Sequence, residues 1–194
     1  MNQEANKHAA SWPDPTTLCD VQTVVSPHPA LLPLEMFLSQ CRITAHRRGG
    51  PGGQHRNKVS SAIMVLHEPT GVSAEANERR DQTQNRTVAI DRIRLRLAIT
   101  LRTELARKSD LEFETGYRLR WVNRPIKINE ANFDHAAVLA LIMDDLHRAG
   151  GQPSLVAGQW NTSTTSVVQF VSMHPPALQL VNRWRAHHGR SVLR

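Results

Sequence analysis

Between Asp81 and Leu105 the apolar residues Ile90, Ile93, Leu97, Leu101 and Leu105 recur every three or four positions, the spacing of one face of an α-helix. Arg92, Arg96 and Arg107 fall on the opposite face. Asp81 suits the N-cap, where a side-chain oxygen accepts from an unpaired backbone N–H, and Gln84 three residues on completes a box-like start signal. A long helix with an apolar stripe needs a surface to bury it, and the residues before it supply one. "CRITAHRR" reads as a short strand. "SAIMVLHEPTGVSAEAN" reads as two more, turning at Pro69-Thr70-Gly71, where proline followed closely by glycine favours a tight turn. "YRLRWV" reads as a last strand. The expectation is an α+β domain over residues 35–128: a short β-sheet with a hairpin, covered by one long helix.

The flanks differ in character. Residues 1–34 are broken by Pro13, Pro15, Pro27, Pro29 and Pro33, with a polar first half, and read as a disordered lead-in. Residues 131–194 read as an all-helical module. Val138, Leu141, Ile142 and Leu146 mark one amphipathic helix, and "PSLVAGQW", "NTSTTSVVQFV" and "PPALQLVNRWRAHHG" mark three more. "PSLVAGQWNTSTTSVVQFV" has a weak likeness to a helix-turn-helix, but an ordinary small bundle is the simpler reading.

Charge narrows the partners. The 194 residues hold 24 Lys and Arg against 17 Asp and Glu, a net +7. Seventeen of those cations, against nine acids, lie from Arg42 to Arg124, a local excess of eight. Such a segment favours an anionic partner, either nucleic acid or a membrane surface. No apolar run approaches the roughly 20 residues that cross a bilayer. Cys19 and Cys41 stand in no metal or redox spacing, which fits a reducing interior. The chain is read as cytoplasmic, with no membrane partner.

The tripeptide Gly-Gly-Gln occurs twice, and the two copies read differently. Gly150-Gly151-Gln152 follows a helix whose last turn carries His147 and Arg148, and Pro153 comes next, the grammar of a helix stop. Gly52-Gly53-Gln54 follows a strand instead. Four glycines and a proline over Gly49–Gly53 carry an entropic cost that folding alone does not justify, and they suit close backbone approach to another surface. Arg47, Arg48, Arg56 and Lys58 flank that loop, cations placed to meet phosphates. A Walker-type ending and a dinucleotide glycine fingerprint are both absent. For His46 and His55, contact with RNA or simple exposure outweighs a general-base role. No metal set is evident, His187 and His188 included.

Three ordered segments, "RGGPGGQHRN", "HEPTGVSAEA" and "RDQTQN", resemble the catalytic domain of class I peptide chain release factors and their shorter ribosome-rescue relatives, over about residues 41–105. The resemblance implies hydrolysis of the ester between a nascent peptide and P-site tRNA in the ribosome's peptidyl transferase centre. Gly52, Gly53 and Gln54 would be the catalytic tip. Gln54 is never charged, so its backbone N–H would donate to developing negative charge while its amide orients water. Ribosomal RNA and the substrate hydroxyl would handle protons, with no cofactor or metal. Arg47, Arg48, His55, Arg56, Asn57, Lys58, Arg80, Gln82 and Asn85 are the candidate RNA contacts, the last three also able to anchor the loop. Partners would be large-subunit rRNA and P-site peptidyl-tRNA, met by a monomer. The chain shows no motif of the family's codon-reading domains, so codon-independent rescue is expected. Residues 131–194 have five Arg, no Lys and three Asp, unlike the Lys/Arg-rich tail of the rescue relatives. Arg183, Arg185, Arg190 and Arg194 make that module a candidate sensor of stalled ribosomes. The alternatives are a non-hydrolytic ribosome- or RNA-binding factor and a DNA-binding regulator acting through 131–194.

Overall fold

The computed structural model describes residues 11–46, 61–104 and 111–194. Strands β1 (Gln22–Val24), β2 (Cys41–His46), β3 (Ala62–His67), β4 (Ser73–Ala76) and β5 (Leu101–Thr103) alternate with helices. These are α1 (Leu34–Ser39), α2 (Gln82–Thr100), α3 (Leu111–Trp121), α4 (Asp134–Arg148), α5 (Pro153–Gln159), α6 (Thr164–Ser172) and α7 (Pro175–His187). The chain is α+β, as the patterning predicts, with a helical carboxyl-terminal region.

β2, β3 and β4 form an antiparallel sheet with β3 in the centre. The β3–β4 turn closes with Gly71 at φ +70° and its N–H on the His67 carbonyl at 2.9 Å. Strand alternation sends Ile63 and Val65 inward, with Ala74 and Ala76 beside them in register. Ala89, Ile93 and Leu97 of α2 bury against that face in one cluster. The arginines expected on the outer face of α2 have a second use. Arg92 and Arg96 donate to the Glu75 and Ser73 carbonyls of β4, at 2.8 and 2.5 Å. They occupy an edge strand that would otherwise offer its backbone to another chain.

α2 ends at Thr100, and Leu101 continues as extended β5, which pairs in parallel with β1. Leu105 and Arg107 lie outside the described residues. From residue 11 onward the lead-in is ordered, contrary to expectation. Pro15 and Pro29 open two 3₁₀ turns, capped by Asp14 accepting from Thr16 N–H at 2.9 Å and by His28 accepting from Ala30 N–H at 3.0 Å. Ala30 and Leu31 are fully buried. The prolines mark first positions of turns, where a missing N–H costs nothing. "YRLRWV" is helical rather than a strand: it closes α3. Tyr117 and Trp121, four apart, share the helix face that meets α4, while the alternating arginines imitate a strand period.

α4 is buried along most of its length, between α2 and the later helices, in a cluster with Trp160, Phe170, Val181 and Trp184. That cluster also takes in Ala30, Leu31 and Ala98, so the helical region and the sheet are joined through α2. Charges are buried at the joint. Arg94 donates to the carbonyls of Ala30 and Phe133, at 2.8 and 2.9 Å. Arg102 faces Asp144 at 3.4 Å, and Asp145 accepts from Arg118 and from Trp160 Nε1.

The second Gly-Gly-Gln ends α4. Gly150 and Gly151 have φ of +57° and +72°, and Gly151 N–H returns to the Leu146 carbonyl at 2.7 Å. Pro153 then opens α5. Arg190 and Arg185 donate to the carbonyls of Gly150 and Gly151, at 2.9 and 2.6 Å. A Cβ on Gly151 would lie 2.5 Å from Arg185 Cγ. This copy is structural. Among the described residues no helix is long and apolar enough to cross a membrane.

Candidate functional site

Gly52, Gly53 and Gln54, with Arg47, Arg48, His55, Arg56, Asn57 and Lys58, lie outside the described residues. What surrounds the two ends of their segment is described. His46 closes β2 and pairs with Ala62 at the start of β3, so the segment leaves and re-enters the same end of one hairpin. His46 Nε2 also lies 3.4 Å from Glu75 Oε1 on β4.

Ser61 is the first described residue on the return. Its carbonyl accepts from Asn85 Nδ2 at 2.6 Å. The same Nδ2 donates to Arg79 carbonyl at 2.9 Å, and Asn85 Oδ1 accepts from Arg79 N–H at 2.9 Å. Asn85 is fully buried one turn into α2. It therefore ties three pieces together: the return of the segment, the turn before α2, and α2 itself. Of its two readings, anchor and RNA contact, the structure supports the anchor. Its buried amide is engaged with Ser61 and Arg79, which fits the anchor.

Asp81 caps α2 by accepting from Thr83 N–H at 2.7 Å. Around this end Arg80 and Gln82 are exposed, and so are Arg79 and Arg86, two cations the sequence reading passed over. Their only signal was charge close to the "RDQTQN" segment. The nearby Glu78 is engaged by Arg92 at 2.6 Å, a hydrogen bond that holds its carboxyl below the usual range.

The carboxyl-terminal arginines separate into two groups. Arg185 and Arg190 spend donors on the α4–α5 turn, and Arg185 also bonds the Ser191 carbonyl at 2.6 Å. Arg183 and Arg194 are exposed. The helix pair α5–α6, the segment with helix-turn-helix likeness, contains no Lys or Arg between Pro153 and Ser172. It lacks the cations that duplex phosphates require.

The family model described as the RF-1 domain matches residues 34–138. Peptide chain release factor 2 of Paramagnetospirillum magneticum is 48% identical over 59 residues, 30% of this chain and 16% of that relative. Peptide chain release factor 1 of Verminephrobacter eiseniae is 38% identical over 93 residues, 48% of this chain and 26% of the relative. A mitochondrial peptide chain release factor 1-like protein of Rattus norvegicus is 33% identical over 111 residues, 56% and 29% respectively. The chain spans less than a third of the length of these curated relatives. The model begins where α1 begins, runs through the sheet and α2 into α4, and takes in just over half of the residues; the protein belongs to the RF-1 domain family.

Proposed function

We propose that this protein is a ribosome-dependent peptidyl-tRNA hydrolase that acts without reading a stop codon, releasing peptides from stalled ribosomes in the cytoplasm. The observation that carries the reading is the position of "RGGPGGQHRN" between the paired ends of one hairpin. Its return is bolted by Asn85 to a corner bearing Arg79, Arg80 and Arg86.

In this reading Gly52 and Gly53 admit backbone angles that a β-carbon would forbid, letting the tip approach the scissile ester inside an RNA-walled cavity. The backbone N–H of Gln54 donates to the negative charge that develops as water attacks the ester carbon, and the amide side chain orients that water. Protons pass through substrate and ribosomal RNA, so the chain needs no acid–base pair of its own. Arg47, Arg48, His55, Arg56, Asn57, Lys58, Arg80 and Gln82 contact rRNA or tRNA, and Asn85 positions the loop rather than touching RNA. The absence of cations on α5–α6 disfavours the DNA-binding alternative.

The test is peptide release from ribosomes carrying P-site peptidyl-tRNA, with and without a stop codon. Wild type should release in both cases, Gln54→Ala should lose nearly all release, and Gln152→Ala should retain it. Equal losses in the two variants, or release by Gln54→Ala at the wild-type rate, would overturn the assignment.

A further inference from the structure

We infer that the carboxyl end of α3 and the turn after it form a second RNA-binding surface, one that takes single-stranded RNA on ring-stacked arginines. The inference rests on the RNA-facing part of the function proposed above and not on hydrolysis. From Tyr117 to Lys127 the sequence has four cations and no acid. The guanidinium of Arg120 lies 4.5 Å from the centre of the Tyr117 ring, and that of Arg124 lies 4.5 Å from the Trp121 ring. Asp134 at the start of α4 gathers the group, with Oδ2 at 3.4 Å from both Arg120 Nη1 and Trp121 Nε1. Arg124 and Lys127 are exposed and have no acidic partner among the described residues.

A stacked guanidinium suits nucleic acid better than it suits a generic anion. A guanidinium placed over a ring can offer its other face to a base, and its N–H fork can meet a phosphate. Among the described residues nothing covers the helix surface beside it. Leu119 is 70% exposed, and a Cβ added to Gly116 would meet nothing within 4 Å. Among the described residues no packing accounts for that glycine, which costs about 1 kcal/mol relative to alanine in a helix interior. By contrast, Arg185 and Arg190 near the carboxyl terminus are committed to backbone carbonyls. Arg124, placed over the Trp121 ring and without an acidic partner among the described residues, sits just past the end of α3.

The experiment uses the full chain and a fluorescein-labelled oligouridine of about a dozen nucleotides, with affinity read by anisotropy across a salt titration. Arg124→Gln should bind about tenfold more weakly and lower the log–log salt slope by about 0.7, one phosphate contact on a single strand. Arg124→Lys should keep the slope yet still lose several-fold in affinity, because charge survives and the stack does not. Circular dichroism should show both variants folded as wild type. Unchanged affinity and slope in Arg124→Gln, or wild-type affinity in Arg124→Lys, would overturn the inference. So would intact RNA binding combined with lost binding to phosphatidylserine vesicles, which would assign the surface to a membrane. Gln54→Ala should bind the oligonucleotide as wild type does. If wild type releases no peptide while Arg124→Gln still weakens RNA binding, the hydrolytic reading fails and this one stands.

Discussion

Replacing Asn85 by alanine removes three hydrogen bonds at once, to Ser61 carbonyl, Arg79 carbonyl and Arg79 N–H, at 2.6, 2.9 and 2.9 Å. Each such bond contributes about 1 kcal/mol net, and a buried group left unpaired costs about 1–3 kcal/mol. Ser61 is only partly buried and Arg79 is exposed, so water can replace some of what is lost. The expected destabilisation of Asn85→Ala is therefore about 2–3 kcal/mol, read by urea unfolding. Asn85→Asp should be worse near neutral pH. A carboxylate keeps the acceptor for Arg79 N–H but turns an oxygen toward two carbonyl oxygens where the amide donated. At a temperature where all three proteins are folded, Asn85→Ala should also slow peptide release by about ten- to a hundredfold, because the return of the Gln54 segment loses its anchor. Stability of Asn85→Ala within about 0.5 kcal/mol of wild type, the range of an ordinary surface change, would refute the anchoring argument. So would an Asn85→Asp protein as stable as wild type.

Gly151→Ala should destabilise by about 2–4 kcal/mol, combining a left-handed backbone at φ +72° with a Cβ only 2.5 Å from Arg185 Cγ; thermal unfolding checks it, and an unchanged midpoint contradicts it. Asp144→Ala should cost about 3–5 kcal/mol, because it strands the buried Arg102 guanidinium. Glu68→Ala, which breaks an exposed pair with Arg42, should stay within about 0.5 kcal/mol in the same assay. Stability should also fall with acid. Burial, with Arg102 nearby, pushes His28 down to about 3 in the folded protein, and burial lowers His135, His147 and His174 as well. The unfolded chain then binds more protons below about pH 6.5, so the His28 contribution is complete above that pH. It is lost as pH falls toward 3, at about 1.4 kcal/mol per pH unit. Urea midpoints measured from pH 7.5 down to 5.5 test this, and His28→Asn should flatten the slope.

Local grammar made much of the fold legible. The helical stripe through Ile93 and Leu97, the Asp81 cap, the Pro69–Gly71 hairpin turn and the helix stop at Gly150 each depend on residues within a few positions of one another. Family membership was visible in three short segments over residues 41–105, and the family model extends it to 34–138. Two local signals misled for a shared reason. Proline density suggested disorder before residue 34, and alternation suggested a strand at "YRLRWV", yet what distant surfaces bury set both outcomes.

At the candidate site the motif, its cations and its glycines could be read directly, since they are matters of residue type. The role of Asn85 could not, because it depends on Ser61 and Arg79 arriving at one buried amide from two other stretches of chain. The same holds for the burial of Arg94 and Arg102 and for the engagement of Arg185 and Arg190 with the α4–α5 turn. The sequence by itself determined the long helix, the hairpin, the excess of positive charge and the residue types of the Gly52-Gly53-Gln54 segment. Only the tertiary structure decided which cations are committed and which stay open. A side chain carries its charge wherever it lies, but its partners and its hydration are set by groups that the fold brings together from far along the chain.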